Sequence, residues 1–121
     1  MAYAEIFPKN KEIEKMLIEK KDSLMSSLFK TVASVYGIPQ YDAIVELHQC
    51  TTIAFCKEAV EAESAPDAVI KVQTCDVEHK QEAKILGEAI VEDWNRIMGS
   101  DRTVEIWIDF FHTWNCNMEF E

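Results

Sequence analysis

Apolar and polar residues alternate along four short stretches of the chain, and this period of two is typical of β-strands with one buried face. The predicted strands are residues 2–7, 43–48, 68–75 and 104–110. The alternation is clearest in the last strand, where Glu105 and Trp107 separate Val104, Ile106 and Ile108.

Two longer stretches repeat their apolar residues every three or four positions, which predicts amphipathic helices. The first helix is predicted at about 11–36, with Gly37 capping its carboxyl end. The second is predicted at about 77–98, with Asp76 as N-cap and Gly99 as its end. Their apolar stripes include Ile13, Leu17, Leu24, Leu28 and Val32 in the first helix and Ala83, Leu86, Ile90, Trp94 and Ile97 in the second.

Three remaining segments connect or follow these elements. Residues 51–56 are β-prone and can return as a hairpin. Residues 57–67 are acidic and alanine-rich and include Pro66, which predicts a solvated loop or a single helical turn between the two halves. The tail at 111–121 is a candidate for a short edge strand.

The order strand–helix–strand therefore occurs twice, in pseudo-repeats at about 1–60 and 66–121 of one domain, 1–121. A crossover helix makes the two strands of each repeat parallel and right-handed. The predicted fold class is α+β, a two-layer α/β sandwich with one four-stranded mixed sheet and two helices on one face. Val45, Leu47 and Trp107 suggest apolar positions on both faces of the sheet. We expect other copies of the chain to cover the side without helices.

Composition narrows the classes of partner and location. The net charge is -10 and the acidic residues are spread along the 121-residue chain, which argues against nucleic acid and anionic membranes as partners. No apolar run approaches the roughly 18 residues that span a bilayer, and residues 1–12 do not resemble a secretory signal. A cytoplasmic location is expected, and the four cysteines are then expected to be reduced.

The module spacing, the Gly37-Ile38-Pro39 segment and the Val-Glu-Ile-Trp-Ile run at 104–108 together resemble the tautomerase superfamily over nearly the whole chain. The closest likeness is to a small branch of uncharacterised tautomerase-like proteins with a fold like that of macrophage migration inhibitory factor (MIF). The resemblance implies two strand–helix–strand modules per chain, helices on one side of the sheet, and assembly as a trimer. It also implies a possible small-molecule ligand between subunits.

The chemistry of the family does not carry over well. Tautomerases use an amino-terminal proline, exposed when Met1 is removed, as the general base, but position 2 here is Ala2. The cationic positions of the family correspond to Ile38 and to a position near Ile44. The resemblance therefore implies that the usual proline-based activity is absent. A primary amine at Ala2 could still accept a proton.

Other candidate site residues lie in the strands. Glu46 and Glu105 each have apolar neighbours, and a carboxylate at a subunit junction can act as acid or base, although a solvent-facing glutamate is the simpler interpretation. Trp107 can line a pocket or anchor an interface. The catalytic candidates are Met1, Ala2, Glu105 and Trp107.

Three Cys/His pairs suggest metal binding: His48 with Cys50, Cys75 with His79, and His112 with Cys116. Zinc needs three or four converging ligands, and the sequence has no Cys-x-x-Cys motif, so structural thiols are the simpler interpretation. Cys75 is also the best candidate for a reactive thiolate, because it precedes a predicted helix. No cofactor is expected.

Three functional hypotheses follow. The favoured one is a homo-oligomeric, most simply trimeric, tautomerase-like protein that has lost the proline reaction and serves as a binding protein. The second is an isomerase of the keto–enol type, or a related lyase, that acts on a small carbonyl acid with a non-proline base. The third is a metal-binding protein that uses Cys75 and His79.

Overall fold

The two strand–helix–strand units come together in one sheet in the computed structural model, which describes residues 1–110. The strands are β1 Ala2–Pro8, β2 Ala43–Leu47, β3 Ala68–Thr74 and β4 Val104–Phe110. The α-helices are α1 Lys11–Glu19, α2 Lys21–Tyr36, α3 Lys57–Glu61 and α4 Ala83–Met98, and short 3₁₀ helices occupy Gln40–Asp42 and Val77–Glu82.

The sheet has four strands in the order β2-β1-β3-β4. β1 is parallel to β2 and β3 is parallel to β4, as the crossover helices require. The central pair β1 and β3 is antiparallel. The predicted α+β class and the mixed four-stranded sheet are therefore confirmed.

The core lies between the sheet and the two long helices, which contact each other. Alternate residues of β1 point into it, and Ala2, Ala4 and Ile6 are all buried there. The helices contribute to the same core Leu24, Leu28 and Val32 of α2 and Leu86, Ile90 and Trp94 of α4. Both helices thus cover one face of the sheet, as predicted.

The prediction of one helix at 11–36 is wrong. α1 ends at Glu19, and α2 begins at Lys21 after Lys20 leaves helical geometry at φ -107° and ψ 11°. The sequence has no glycine or proline at this point. The side chain of Lys20 donates a hydrogen bond to the carbonyl of Ile97 at 2.9 Å. A tertiary contact with the end of α4 therefore accompanies the break between α1 and α2.

The helix ends agree better with the sequence. Gly37 adopts the left-handed conformation at φ 63°, and its amide bonds to the carbonyls of Ala33 and Ser34. The Asp76 side chain accepts a hydrogen bond from the Glu78 amide at 3.0 Å, which confirms Asp76 as an N-cap. It caps a 3₁₀ turn, Val77–Glu82, that precedes α4.

The β-prone piece at 51–56 is not a strand, so that prediction is wrong. Its residues pair with none of the four described strands, and Ile53 is fully exposed. The Cys50 amide donates to the Glu14 carboxylate, which directs the chain toward α1 instead of back along the sheet. The following acidic segment forms the single short helix α3, as expected. The candidate strand at 111–121 lies outside the described residues.

Cys75 is disulfide-bonded, which corrects the expectation that all four cysteines are reduced. Cys50 and Cys56 are free thiols. Spacing along the sequence could not show which cysteines the fold brings within bonding distance. Within residues 1–110, no helix has both the length and the apolar character needed to cross a membrane.

Candidate functional site

The face of the sheet turned away from the helices, here called the open face, carries the side chains that the core does not use. The register of the strands and the alternation of side chains place on it Tyr3, Glu5, Phe7, Ile44, Glu46, Val69, Lys71, Gln73, Glu105, Trp107 and Asp109. The open face is therefore a mixed aromatic and charged surface.

The sequence suggested apolar positions on both faces, and the structure divides Val45, Leu47 and Trp107 between the faces. Val45 pairs with Ala4 and Leu47 pairs with Ile6, so both side chains turn toward the helices and pack against the core. Of these three residues, Trp107 lies on the open face, and it is 48% exposed.

Four side chains on the open face form one hydrogen-bonded group, here called the open-face cluster: Tyr3, Glu5, Glu46 and His48. Glu5 and Glu46 are cross-strand partners on β1 and β2. His48 follows β2 two positions after Glu46, and its amide donates to the Ile6 carbonyl at 2.9 Å, which holds it in line with the sheet. The register alone thus brings two carboxylates and an imidazole together.

The contacts within the cluster are short. The Nε2 atom of His48 lies 2.7 Å from Oε1 of Glu46 and 3.2 Å from Oε1 of Glu5. The Tyr3 hydroxyl donates to the other oxygen of Glu46, Oε2, at 2.6 Å. The side chains of Glu5, Glu46 and His48 are 20%, 37% and 35% exposed, so each can be reached from solvent.

These contacts shift the acidity of two members. The Tyr3 hydroxyl, which donates to Glu46, lowers the pKa of that carboxyl, and the contact with His48 acts in the same direction against partial burial. The same bond from Tyr3 raises the pKa of its phenol, because the protonated hydroxyl is the form that donates. A carboxylate with a lowered pKa is a poor proton acceptor near neutral pH but a good ligand for a cation.

Aromatic rings frame the cluster. The Phe7 ring stacks on His48 with centroids 4.3 Å apart and planes 13° apart, which fixes the orientation of the imidazole. The ammonium of Lys71 lies 5.4 Å from the ring centroid of Phe7 and 5.4 Å from that of Trp107. Lys71 therefore makes cation–π contacts between the cluster and β4.

The predicted catalytic residues are spread along the sheet. The Met1 amine lies 3.8 Å from Oδ2 of Asp42, and Ala2 is 1% exposed inside β1. Trp107 lies in the same row as Glu5, whereas Glu105 is level with Phe7, toward the opposite end of β1 from Ala2. The structure thus does not bring the amino terminus and Glu105 together.

Glu105 also lines a groove of about 850 Å³ between α4 and β4, together with Gly87, Val91, Ile106 and Ile108. The lining is mostly apolar. Neither Met1 nor Ala2 contributes to it. It therefore gives no pocket around a terminal amine.

The Cys75 and His79 pair does not converge on a metal site in this structure. A sulfur atom in a disulfide is not a thiolate, so Cys75 supplies neither a zinc ligand nor a nucleophile in this state. The His79 ring stacks on Tyr36 with centroids 4.3 Å apart, and its Nε2 lies 3.4 Å from Oδ2 of Asp76. His48 is grouped with carboxylates and not with Cys50, and the pair His112 and Cys116 lies outside the described residues.

Glu46 and His48 were candidates from the sequence for separate reasons, whereas Tyr3 and Glu5 were not recognised as their partners. A signal was available, because Tyr3 and Glu5 alternate with the small and apolar residues Ala2, Ala4 and Ile6. That alternation assigns them to the face opposite the core. Their adjacency to Glu46 depends on the register of β1 and β2, which alternation alone does not give.

The chain matches no model of a protein family and no curated protein. Solved structures do match it over nearly its whole length. The structure of Pt0534 inactivated by 2-oxo-3-pentynoate superposes with a TM-score of 0.72 at 17% identity, covering 96% of this chain and 90% of that chain. An asymmetric trimer of fused 4-OT, the F6 wild-type protein, gives a TM-score of 0.67 at 15% identity, covering 90% and 85%.

A MIF-like protein from Entamoeba histolytica gives a TM-score of 0.64 at 12% identity, covering 98% of this chain and 95% of that chain. Identities this low establish the architecture and do not transfer an activity. The chain therefore has a tautomerase-like fold.

Proposed function

We propose that this chain is a homo-oligomeric tautomerase-like protein that lacks the catalytic activity of an amino-terminal proline and binds a small ligand at the open-face cluster. The observation that carries the proposal is the convergence of His48, Glu46 and Glu5 at hydrogen-bond distances on the sheet face that residues 1–110 leave uncovered. In the described part of the chain, these residues are the one group of three His, Cys, Asp or Glu side chains close enough to share an ion.

The loss of the proline reaction is supported at the start of β1. Residue 2 is alanine, and its side chain is buried in the core. The Met1 amine faces Asp42, and the Met1 carbonyl accepts a hydrogen bond from the Thr74 hydroxyl at 3.1 Å. The amino-terminal residue therefore offers a primary amine beside a carboxylate, and not the secondary amine of a proline.

Assembly is supported by the open face and by the solved neighbours. The helices cover one side of the sheet only, and Trp107 and Phe7 lie on the other side. The F6 fused 4-OT structure is a trimer. A trimer of this chain would cover the open face and enclose the cluster. A cytoplasmic location and the absence of nucleic-acid partners stay predictions, and the disulfide at Cys75 is more typical of an oxidising compartment.

The second candidate function is an isomerase or lyase acting on a small carbonyl acid, and one observation favours it. Pt0534, whose structure is similar to that of this chain, is inactivated by 2-oxo-3-pentynoate, which is a 2-oxo acid. A protein of this fold therefore reacts with that class of compound. In this chain the base would be the terminal amine or a strand carboxylate such as Glu105.

Two measurements test the proposal. Sedimentation velocity is expected to give the mass of three copies, and a monomer over the micromolar range would contradict it. The full chain is then incubated with an enolisable 2-oxo acid and, separately, with 2-oxo-3-pentynoate, before and after acetylation of the amino terminus. We expect no turnover and no covalent adduct at residue 1 or 2 by mass spectrometry. Turnover that acetylation abolishes would favour the second candidate instead.

A further inference from the structure

We propose that Glu5, Glu46 and His48 bind a divalent transition-metal ion, with Zn²⁺ as the best fit, on the open face of the sheet. The proposal deepens the proposed function, because it names the ligand class of the same cluster, and it rests on that function only for the location of the site. It differs from the Cys75 and His79 pair that the sequence offered as an alternative metal site, since it uses no sulfur ligand.

The spacing of the donor atoms suits such an ion. Zinc bonds imidazole nitrogen at about 2.0–2.1 Å and carboxylate oxygen at about 2.0–2.2 Å, so two ligands of a tetrahedral site lie roughly 3.4 Å apart. Here Nε2 of His48 lies 2.7 Å from the Glu46 oxygen and 3.2 Å from the Glu5 oxygen. The ligand atoms of the three residues lie within 4.8 Å of one another. The two distances from the imidazole are therefore within about 0.7 Å of the tetrahedral spacing.

The chemistry of the donors selects the class of ion. One imidazole favours zinc and other late transition metals, whereas Mg²⁺ and Ca²⁺ prefer oxygen ligands alone. Three protein ligands leave a fourth tetrahedral position for water or a small molecule. Because the three side chains are partly exposed, that position is reachable from solvent in a single chain, whereas in the proposed trimer it would face the enclosed space between subunits.

Outer contacts hold the ligands in place. The Tyr3 hydroxyl binds Oε2 of Glu46 and leaves Oε1 facing the imidazole. The stacked Phe7 ring fixes the plane of His48. Partners of this kind orient metal ligands, and their loss typically lowers metal affinity about 10–100-fold.

The charge balance is compatible with a cation, because the two carboxylates contact an imidazole and a phenol hydroxyl but no lysine or arginine within residues 1–110. Glu5 and Glu46 are side by side on adjacent strands, where like charges are destabilising. Lys71 is the cross-strand partner of Glu5, yet its ammonium lies over the rings of Phe7 and Trp107. Within residues 1–110 it forms no ion pair with either carboxylate. The nearest cross-strand cation therefore does not neutralise the pair.

The test is a calorimetric titration of the chelator-treated full chain with ZnCl₂. We expect one ion per chain, and a loss of affinity of at least tenfold in each of Glu5→Gln, Glu46→Gln and His48→Gln. Tyr3→Phe is expected to weaken binding about 10–100-fold without changing the stoichiometry. Circular dichroism and thermal unfolding establish that each variant is folded, which is expected because all four side chains lie on the face away from the core.

Two control variants address rival sites. His79→Gln removes the imidazole near Asp76, and Cys56→Ser removes an exposed free thiol. Both should bind zinc like the parent chain. The proposal is overturned if the parent chain does not bind zinc with a dissociation constant in the micromolar range or tighter. It is equally overturned if the three cluster variants bind zinc as tightly as the parent chain. It is also overturned if a control variant, and not the cluster, removes the site.

Sedimentation with and without ZnCl₂ separates this proposal from the proposed function. A trimer that binds no zinc would leave the assembly intact and refute the metal site. A monomer that binds one zinc through the cluster would refute the proposed assembly and retain the metal site. Histidine side-chain NMR adds a direct readout, because zinc should shift the Nε2 resonance of His48 and leave that of His79 in place.

Discussion

Tyr36→Phe is expected to stabilise the protein. Tyr36 is the last residue of α2, is 5% exposed, and its buried hydroxyl has no hydrogen-bond partner among the described residues. An unsatisfied buried polar group costs about 1–3 kcal/mol. Removing the oxygen leaves the ring, including its stacking on His79, in place. We therefore expect the free energy of unfolding at pH 7 to rise by about 1 kcal/mol.

The same substitution should change the response to alkali. Burial, followed by the charge of Glu82, raises the pKa of Tyr36 to about 12, whereas a tyrosine in an unfolded chain has a pKa of about 10. Below pH 10 both states keep the proton. Between pH 10 and 12 the unfolded chain loses its proton first, so stability falls as the pH rises. Between pH 10 and 12 the free energy of unfolding of the parent chain should therefore fall by roughly 2–3 kcal/mol through Tyr36, and that of Tyr36→Phe should not show this fall.

The assay is urea unfolding followed by circular dichroism at pH 7, 10, 11 and 12, for the parent chain and for Tyr36→Phe. Tyr41→Phe is the matched control, since Tyr41 is 86% exposed and its loss should change neither quantity. Other alkaline effects are common to all three proteins and cancel in the difference. The reasoning is refuted if Tyr36→Phe lowers stability at pH 7, or if the gap from the parent chain stays constant from pH 10 to 12.

Two further predictions concern the helices. Gly37→Ala should lower the free energy of unfolding by about 1 kcal/mol, because Gly37 has a φ of 63°. Gly87→Ala should raise it by up to about 1 kcal/mol, because Gly87 lies inside α4 and the added methyl group meets Ile108 at an ordinary 3.7 Å. Equal effects of the two substitutions in urea unfolding would contradict this. Trp94→Phe should cost roughly 2 kcal/mol, since Trp94 is fully buried and donates to the Arg102 carbonyl at 2.8 Å; an unchanged thermal midpoint would refute it.

The strands and the overall order of elements were predictable because their signals are local. Alternation marks each strand whatever it pairs with, and a helix between two strands makes them parallel. Gly37 and Asp76 were assigned correctly for the same reason, since a cap depends on its immediate neighbours. The break at Lys20 was not predictable, because the contact that accompanies it is with Ile97, far away in the chain.

The candidate site shows a similar division. Which residues share a face follows from alternation, so Tyr3 and Glu5 could have been grouped on the side away from the core. Their contact with Glu46 and His48 depends on the register between β1 and β2, and one step of slippage would have placed Val45 there instead. The disulfide at Cys75 also depends on distance in the fold, which spacing along the chain does not give.

The charges of the open face and the proposed assembly are linked. Glu46, Glu5, Lys71 and Trp107 form one row across the four strands. In an isolated chain water solvates the two carboxylates, whereas covering them with other subunits removes that water at a cost of several kcal/mol per unpaired ion. Lys71 is directed at aromatic rings, and the carboxylates contact only His48 and Tyr3 among the described side chains, so a bound cation would add the positive charge that Lys71 does not supply. Since a ligand favours the state that binds it better, a metal ion in the cluster and a covered open face would stabilise each other.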